Sequence, residues 1–325
     1  MSLRYVVFCV AALIVALGAL TSIAGGQNCD FNFQCCLQHR ANDNHYDEYT
    51  LKSVPFTAVG LKLFDQFLMS PATYALSAPA AIWAPASKIA DSPYDGEAAT
   101  TSNLPSNENL FYVRYPIKLK GDLKLPYESR KDVFVFTEFG PLVMKISVPQ
   151  FLVAPAFNYR AMEDVPGDVS LPRGYNNYLC YSAMPSNFMD ARDEPIELSD
   201  AFSIGQAKSH TVSSRFLCVP TEIMLTEKNA CQPIEDADLS YLCYGLAERL
   251  ATNDATRYVR DAFFSSYGVP TKTPSGQDPV AQLSIDPTGD NLVCAPARVL
   301  QSYVNAAYSS RHRDTETLCR ASPSS

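Results

Sequence analysis

The string Tyr-Leu-Cys-Tyr occurs twice, at Tyr178–Tyr181 and at Tyr241–Tyr244, and the landmarks downstream of each copy keep one order. Asp200-Ala201-Phe202 and then Leu217-Cys218-Val219-Pro220 come after the first; Asp261-Ala262-Phe263 and then Val293-Cys294-Ala295-Pro296 come after the second. Landmarks recurring in a fixed order constrain a fold tightly, because each copy must adopt the same local structure and bury the same face.

The frame reaches back toward the N-terminus. Tyr46-Asp47-Glu48-Tyr49 precedes Phe64-Asp65-Gln66-Phe67 and Ile82-Trp83-Ala84-Pro85, and Tyr112-Val113-Arg114-Tyr115 precedes Phe136-Thr137-Glu138-Phe139 and Leu152-Val153-Ala154-Pro155. The first tyrosines stand at 46, 112, 178 and 241, in steps of 66, 66 and 63. We expect four tandem units of about 65 residues, at 45–106 with its linker, 107–174, 175–238 and 239–302. A cysteine-rich arm (25–44) and a polar tail (303–325) flank them.

Cysteine placement sharpens this frame. The last two units carry Cys at both landmarks (Cys180 and Cys218, Cys243 and Cys294), whereas the first has Glu48 and Trp83 and the second has Arg114 and Val153. Cysteines present together or absent together predict the bonds Cys180–Cys218 and Cys243–Cys294, although the count alone also permits pairing across units. Each closure would contribute about 4 kcal/mol in the chain-entropy picture. The pairing of Cys29, Cys35, Cys36, Cys231 and Cys319 stays open.

The order Tyr-x-Cys-Tyr, Asp-x-Phe, Leu-Cys-x-Pro resembles an uncharacterised domain, of unknown function, found in exported bacterial proteins. The resemblance is best over Tyr175 to Val299. It implies location and fold, and it transfers no catalytic residue.

Short segments such as Phe111–Tyr115 and Val133–Phe136 are β-branched and aromatic, with Pro and Gly around them. They predict an all-β chain whose units are sandwich- or barrel-like, with the landmark proline ending each last strand at a sheet edge. Asp254–Tyr267 and Leu61–Leu68 can also be drawn as amphipathic helices; strands are the expectation for both.

Compartment can be read from the N-terminus and the sulfur. Arg4, the apolar run Tyr5 to Leu20 and the small residues before Ala24 read as a signal peptide (1–24) cleaved after Ala24, an uncleaved anchor being the alternative. Of the ten cysteines Cys9 leaves with that signal, and nine remain for an oxidising compartment. The expected location is secreted, periplasmic or cell-envelope, with no membrane span after cleavage. A formal net charge of −8 without a Lys/Arg run argues against nucleic acid and against anionic lipid. The partner expected is an extracellular protein or a glycan.

Chemistry is sparsely signalled. His210, beside Ser209 and Thr211, is the best candidate base of a hydrolase, but strand neighbours point to opposite faces and no Gly-x-Ser-x-Gly elbow occurs. Cys35-Cys36 with His39 has the residue types of a thiol–imidazole pair, but bridged sulfurs are expected in this compartment. Asp286–Asn291 and Glu235–Asp238 offer oxygen ligands to calcium without the spacing of an EF-hand loop, so turns are the simpler reading. The sequence thus predicts a non-catalytic exported repeat protein acting as a structural or binding module, with no cofactor and no metal. A secreted hydrolase with a site between units and a calcium-stabilised adhesin-like module are the alternatives.

Overall fold

In the computed structural model the described residues are 45–68, 70–88, 110–120, 132–137, 139–165, 172, 174–186, 195–202, 207–225, 230–248, 256–263, 266–267 and 280–300, and all belong to one compact unit. The signal segment, the cysteine-rich arm, the 90–108 linker and the tail lie outside them, as do His39 and the cysteines at 29, 35, 36 and 319.

These residues form fifteen strands: β1 (His45–Thr50), β2 (Val59–Asp65), β3 (Ala72–Leu76), β4 (Ala81–Lys88), β5 (Leu110–Leu119), β6 (Asp132–Thr137), β7 (Gly140–Tyr159), β8 (Asn177–Pro185), β9 (Pro195–Ser199), β10 (Ala207–Leu225), β11 (Ala230–Gln232), β12 (Ser240–Leu246), β13 (Thr256–Arg260), β14 (Ala281–Ser284) and β15 (Leu292–Leu300). Among the described residues there is no α-helix, only 3-10 turns, at Met162–Asp164 and at Ser266. Both segments that could be drawn as helices contain strands instead, β2 and β13.

Eight strands close into an antiparallel ring. β1 pairs with β4, β4 with β5, β5 with β7, β7 with β8, β8 with β10, β10 with β12, β12 with β15, and β15 returns to β1. The register is the same at four places. Tyr46 lies opposite Pro85, Tyr112 opposite Pro155, Tyr178 opposite Pro220 and Tyr241 opposite Pro296. Between these pairs, Trp83 faces Tyr112, Val153 faces Tyr178, Cys218 faces Tyr241 and Cys294 faces Tyr46.

The prolines do not end their strands. Each sits where its strand exchanges one neighbour for another. β4 leaves β5 after Trp83 and meets β9 at Ser87; β7 leaves β8 after Val153 and meets β13 at Phe157. β10 leaves β12 after Cys218 and meets β2 at Thr221; β15 leaves β1 after Cys294 and meets β6 at Ala297. A residue without an N–H is tolerated in such a gap, because no ladder bond to that side is required there.

Alternation along the strands separates two cores. One side chain set (Tyr46, Trp83, Tyr112, Val153, Tyr178, Cys180, Cys218, Tyr241, Cys243, Cys294) fills the inside of the ring. The other set (among them Tyr49, Val113, Tyr115, Leu179, Tyr181, Leu242 and Tyr244) packs outward under β2, β6, β9 and β13. Eight strands enclose a space just wide enough for side chains to fill. The strands of the four sequence stretches therefore do not close on themselves as separate sandwiches. A stretch of about 65 residues buries too little surface alone, and sharing one ring and one shell solves that problem.

Candidate functional site

The middle of the ring is a cycle of four tyrosines. Ring centroids lie 5.2 Å apart for Tyr46–Tyr112, 5.6 Å for Tyr112–Tyr178, 5.2 Å for Tyr178–Tyr241 and 5.4 Å for Tyr241–Tyr46, all edge to face. Each such contact is worth about 0.5–1.5 kcal/mol beyond the area it buries. All four side chains are buried, and burial pushes the Tyr112 and Tyr178 hydroxyls well above the usual phenol range. Those two hydroxyls therefore stay protonated at neutral pH.

One row along lie the cysteine landmarks. Cys180 is bonded to Cys218 and Cys243 to Cys294, each pair directly opposite in register with Cα atoms 3.9 Å apart. Cys231 on β11 is disulfide-bonded as well. The register-equivalent pair Glu48 and Trp83 is joined by a hydrogen bond, Trp83 Nε1 donating to Glu48 Oε2 at 2.7 Å. Arg114, opposite Val153, places Nη2 3.2 Å from Glu48 Oε1, and its guanidinium lies 4.2 Å from the centre of the Phe151 ring. A buried ion pair with an indole donor thus occupies the half of the layer that lacks sulfur.

Outside the ring, four tyrosines latch onto four turns. In three turns an aspartate side chain accepts the N–H two residues on: Asp65 from Phe67 at 2.8 Å, Asp200 from Phe202 at 2.6 Å, Asp261 from Phe263 at 2.8 Å. In the fourth, Thr137 Oγ1 accepts from Phe139 at 3.2 Å. Each of these residues also meets a tyrosine hydroxyl. Tyr49 donates to Asp200 at 2.6 Å, Tyr181 to both oxygens of Asp65 at 2.9 and 3.1 Å, and Tyr115 to Asp261, while Tyr244 and Thr137 oxygens are 3.4 Å apart. The same tyrosine packs edge to face on the phenylalanine of that turn, at 5.2, 5.3, 5.1 and 5.3 Å respectively. The latches are reciprocal: the first and third stretches exchange them, and so do the second and fourth.

Two of these carboxyls, Asp65 and Asp261, are buried, and Asp200 is half-buried. Burial pushes Asp65 up to about 7 against three donors that pull it down, and pushes Asp261 up to about 6. One position breaks the pattern. Outward-facing Val113, Leu179 and Leu242 are fully buried, and the matching residue on β1 is Asp47, also fully buried, with no hydrogen-bond donor at either oxygen. Burial first and the neighbouring Asp200 second hold its carboxyl far above the usual range.

The candidates named from the sequence have other duties in the fold. Ser209 is buried and its hydroxyl donates to Glu248 Oε2 at 2.9 Å while accepting the Glu248 N–H at 3.1 Å. His210 is on the exposed face with Nδ1 3.7 Å from Glu248 Oε2. The carboxylate thus stands between serine and imidazole, and the Ser209 hydrogen bond lowers its proton affinity, which is the wrong order for activating a nucleophile. Asp286 Oδ1 accepts Thr288 N at 2.9 Å and Thr288 Oγ1 at 2.7 Å, an ordinary turn docked on β1 through Asp286 N and Thr50 O at 2.8 Å. Gly289 is required there, since a Cβ would come within 2.2 Å of Thr50 Cβ. The Glu235–Asp238 run is likewise a turn, held by Asn176 Oδ1, which accepts Glu235 N at 2.8 Å and Asp236 N at 3.0 Å. Among the described residues no group of three or more His, Cys, Asp or Glu is placed to hold a metal ion.

Among the described residues no helix is long and apolar enough to cross a membrane. Compared with family models, with curated proteins and with solved structures, the chain matches none.

Proposed function

We propose that the chain is an exported, non-catalytic body made of four tandem copies of one module, a structural or binding element for an extracellular protein or glycan. The observation that carries this reading is the fourfold recurrence of register and contacts. Ring tyrosines, landmark pairs and latch turns each occur at four matching places, and the polar atoms of the latches are spent on one another. Such side chains build a scaffold and leave no reactive set at any recurring position. The disulfides support an oxidising compartment, secreted or in the envelope. The likeness to exported bacterial domains belongs to the same reading.

Expression of the full sequence in an exporting host tests it. The expected product starts at Gly25 and yields the bridged peptides Cys180–Cys218 and Cys243–Cys294 on digestion without reduction. A fluorophosphonate probe should leave Ser209 unlabelled. Retention of residues 1–24 in the cytosol with free landmark thiols would refute export, and labelling of Ser209 would refute the non-catalytic part.

A further inference from the structure

Three of the four tyrosine strands carry a fully bonded group next to the tyrosine cycle, and the fourth carries a cation with donors to spare. Glu48, Cys180 and Cys243 are each spent on the residue opposite, Glu48 on Trp83 and the cysteines on Cys218 and Cys294. Their counterpart Arg114 places one nitrogen, Nη2, 3.2 Å from Glu48, and its buried Nε has no acceptor. A guanidinium carries five N–H donors, so some remain for a ligand. Of the ion pair it is Arg114 that reaches solvent, with 13% of its side chain exposed against 3% for Glu48. Packing fixes that guanidinium. It lies 4.2 Å from the centre of the Phe151 ring and 6.0 Å from that of Phe216, and the two rings pack edge to face at 5.0 Å.

A second guanidinium reaches the same end of the ring. Gly245 stands two residues past Cys243 on β12, so by alternation a side chain there would point into the ring. A Cβ at that position would come within 3.4 Å of Arg215 Nε and 3.8 Å of its Nη2, which puts Arg215 across the opening above the Cys243 layer. Among the described residues no carboxylate pairs with Arg215. The residues facing this opening from β5 to β15 are Pro116, Phe151, Ser182, Phe216, Gly245 and Leu292, and none is acidic. Two guanidinia beside aromatic walls suit a carboxylate, through charge-assisted hydrogen bonds to its oxygens and apolar contact with the group that bears it. We propose that this end of the ring binds a small carboxylate with an apolar face, Arg114 and Arg215 taking the charge and Phe151 and Phe216 the face. The inference deepens the binding reading proposed above and rests on it; the acid is either a free organic acid or the uronate of a glycan.

Titration calorimetry of the full, oxidised chain with benzoate and with glucuronate tests this, against their neutral counterparts benzamide and glucose. Trp83, the chain's single tryptophan, reports the location, since its indole is tied to Arg114 through Glu48. The expected result is saturable binding of at least one acid, with a shift of Trp83 emission and no binding of its neutral counterpart. Benzoate alone marks a free organic acid as the source, and glucuronate marks an acidic glycan. Arg215→Gln, at an exposed position, should weaken affinity about tenfold, the size of one charge-assisted hydrogen bond. Glu48→Gln combined with Arg114→Met leaves no lone charge buried and should abolish binding. No saturable binding of either acid, equal binding of the neutral counterparts, or unchanged affinity in Arg215→Gln and the double variant overturns the proposal. Each of these results leaves the bridged peptides and the start at Gly25 as they are, so failure of the site is told apart from failure of export.

Discussion

Removing one latch hydroxyl at a time gives a graded series. Tyr181→Phe deletes only the O–H that bonds both oxygens of Asp65, and leaves the ring free to keep its edge-to-face contact with Phe67 at 5.3 Å. A hydrogen bond to a charged acceptor is worth about 1.5–3 kcal/mol and one between neutral groups about 0.5–1.5 kcal/mol. Asp65 changes from neutral to charged near its pKa of about 7. Tyr181→Phe should therefore cost about 2 kcal/mol at pH 8 and about 1 kcal/mol at pH 5, from those two hydrogen-bond classes. Tyr115→Phe deletes the bond to Asp261 and also the 2.6 Å bond to the Tyr267 hydroxyl, so it should cost more than Tyr181→Phe at pH 5, with the rise in cost centred lower because burial pushes Asp261 only to about 6. Tyr244→Phe loses only a 3.4 Å contact with the Thr137 hydroxyl, so it should cost about 0.5 kcal/mol at either pH. Urea unfolding followed by Trp83 fluorescence, with the disulfides intact, reads all three. If Tyr244→Phe costs as much as Tyr181→Phe, or if Tyr181→Phe is pH-independent, the latch account is wrong.

The buried charges lead to two further outcomes. Glu48→Gln leaves the Arg114 guanidinium without its ion partner inside the ring, and should cost about 3–5 kcal/mol, most of it recovered by adding Arg114→Met; equal stability of the single and double variants would contradict this. The raised values of Asp65 and Asp261 mean that the folded state holds protons the unfolded chain releases. Their contribution is complete below the unfolded value of about 4 and declines as pH rises through about 6 to 7. The melting temperature should accordingly fall between about pH 5 and about pH 8, and Asp65→Asn should flatten the slope. A melting temperature that rises over the same range would refute the sign.

The parts of the fold legible in the sequence are those carried by local pattern. Alternation in Tyr-x-x-Tyr put Tyr46 and Glu48, or Tyr178 and Cys180, on one face and the second tyrosine on the other. The joint presence of two cysteines in a stretch located the bonds, because directly opposed positions are cross-linked only when both carry sulfur. The bulge in β10 also left a trace: its register slips around Ser214, where the apolar phase of His210–Val219 slips too. What could not be read is which turn each tyrosine reaches. Three of the four turns share the Asp-x-Phe pattern, and the true partners lie 116 and 151 residues apart for Asp65 and Asp200. Local pattern ranks those partners equally; only the change of neighbour at the prolines selects the opposite stretch. Glu48 with Arg114, and Asp47 among Val113, Leu179 and Leu242, did have a signal. Aligning the four tyrosine strands sets opposite charges in the sulfur-free pair of stretches and one acid in an apolar column.

Closure of the eight-strand ring is the claim on which the tyrosine cycle, the landmark pairs and the latches all depend. Amide hydrogen exchange of His45–Thr50 tests it most directly. In a strand flanked on both sides, alternate N–H groups point to opposite neighbours, here β4 and β15. The account predicts slow exchange for both sets, matching β8 and β10; fast exchange of the set facing β15 would mean an open sheet with β1 at its edge, and would contradict the ring.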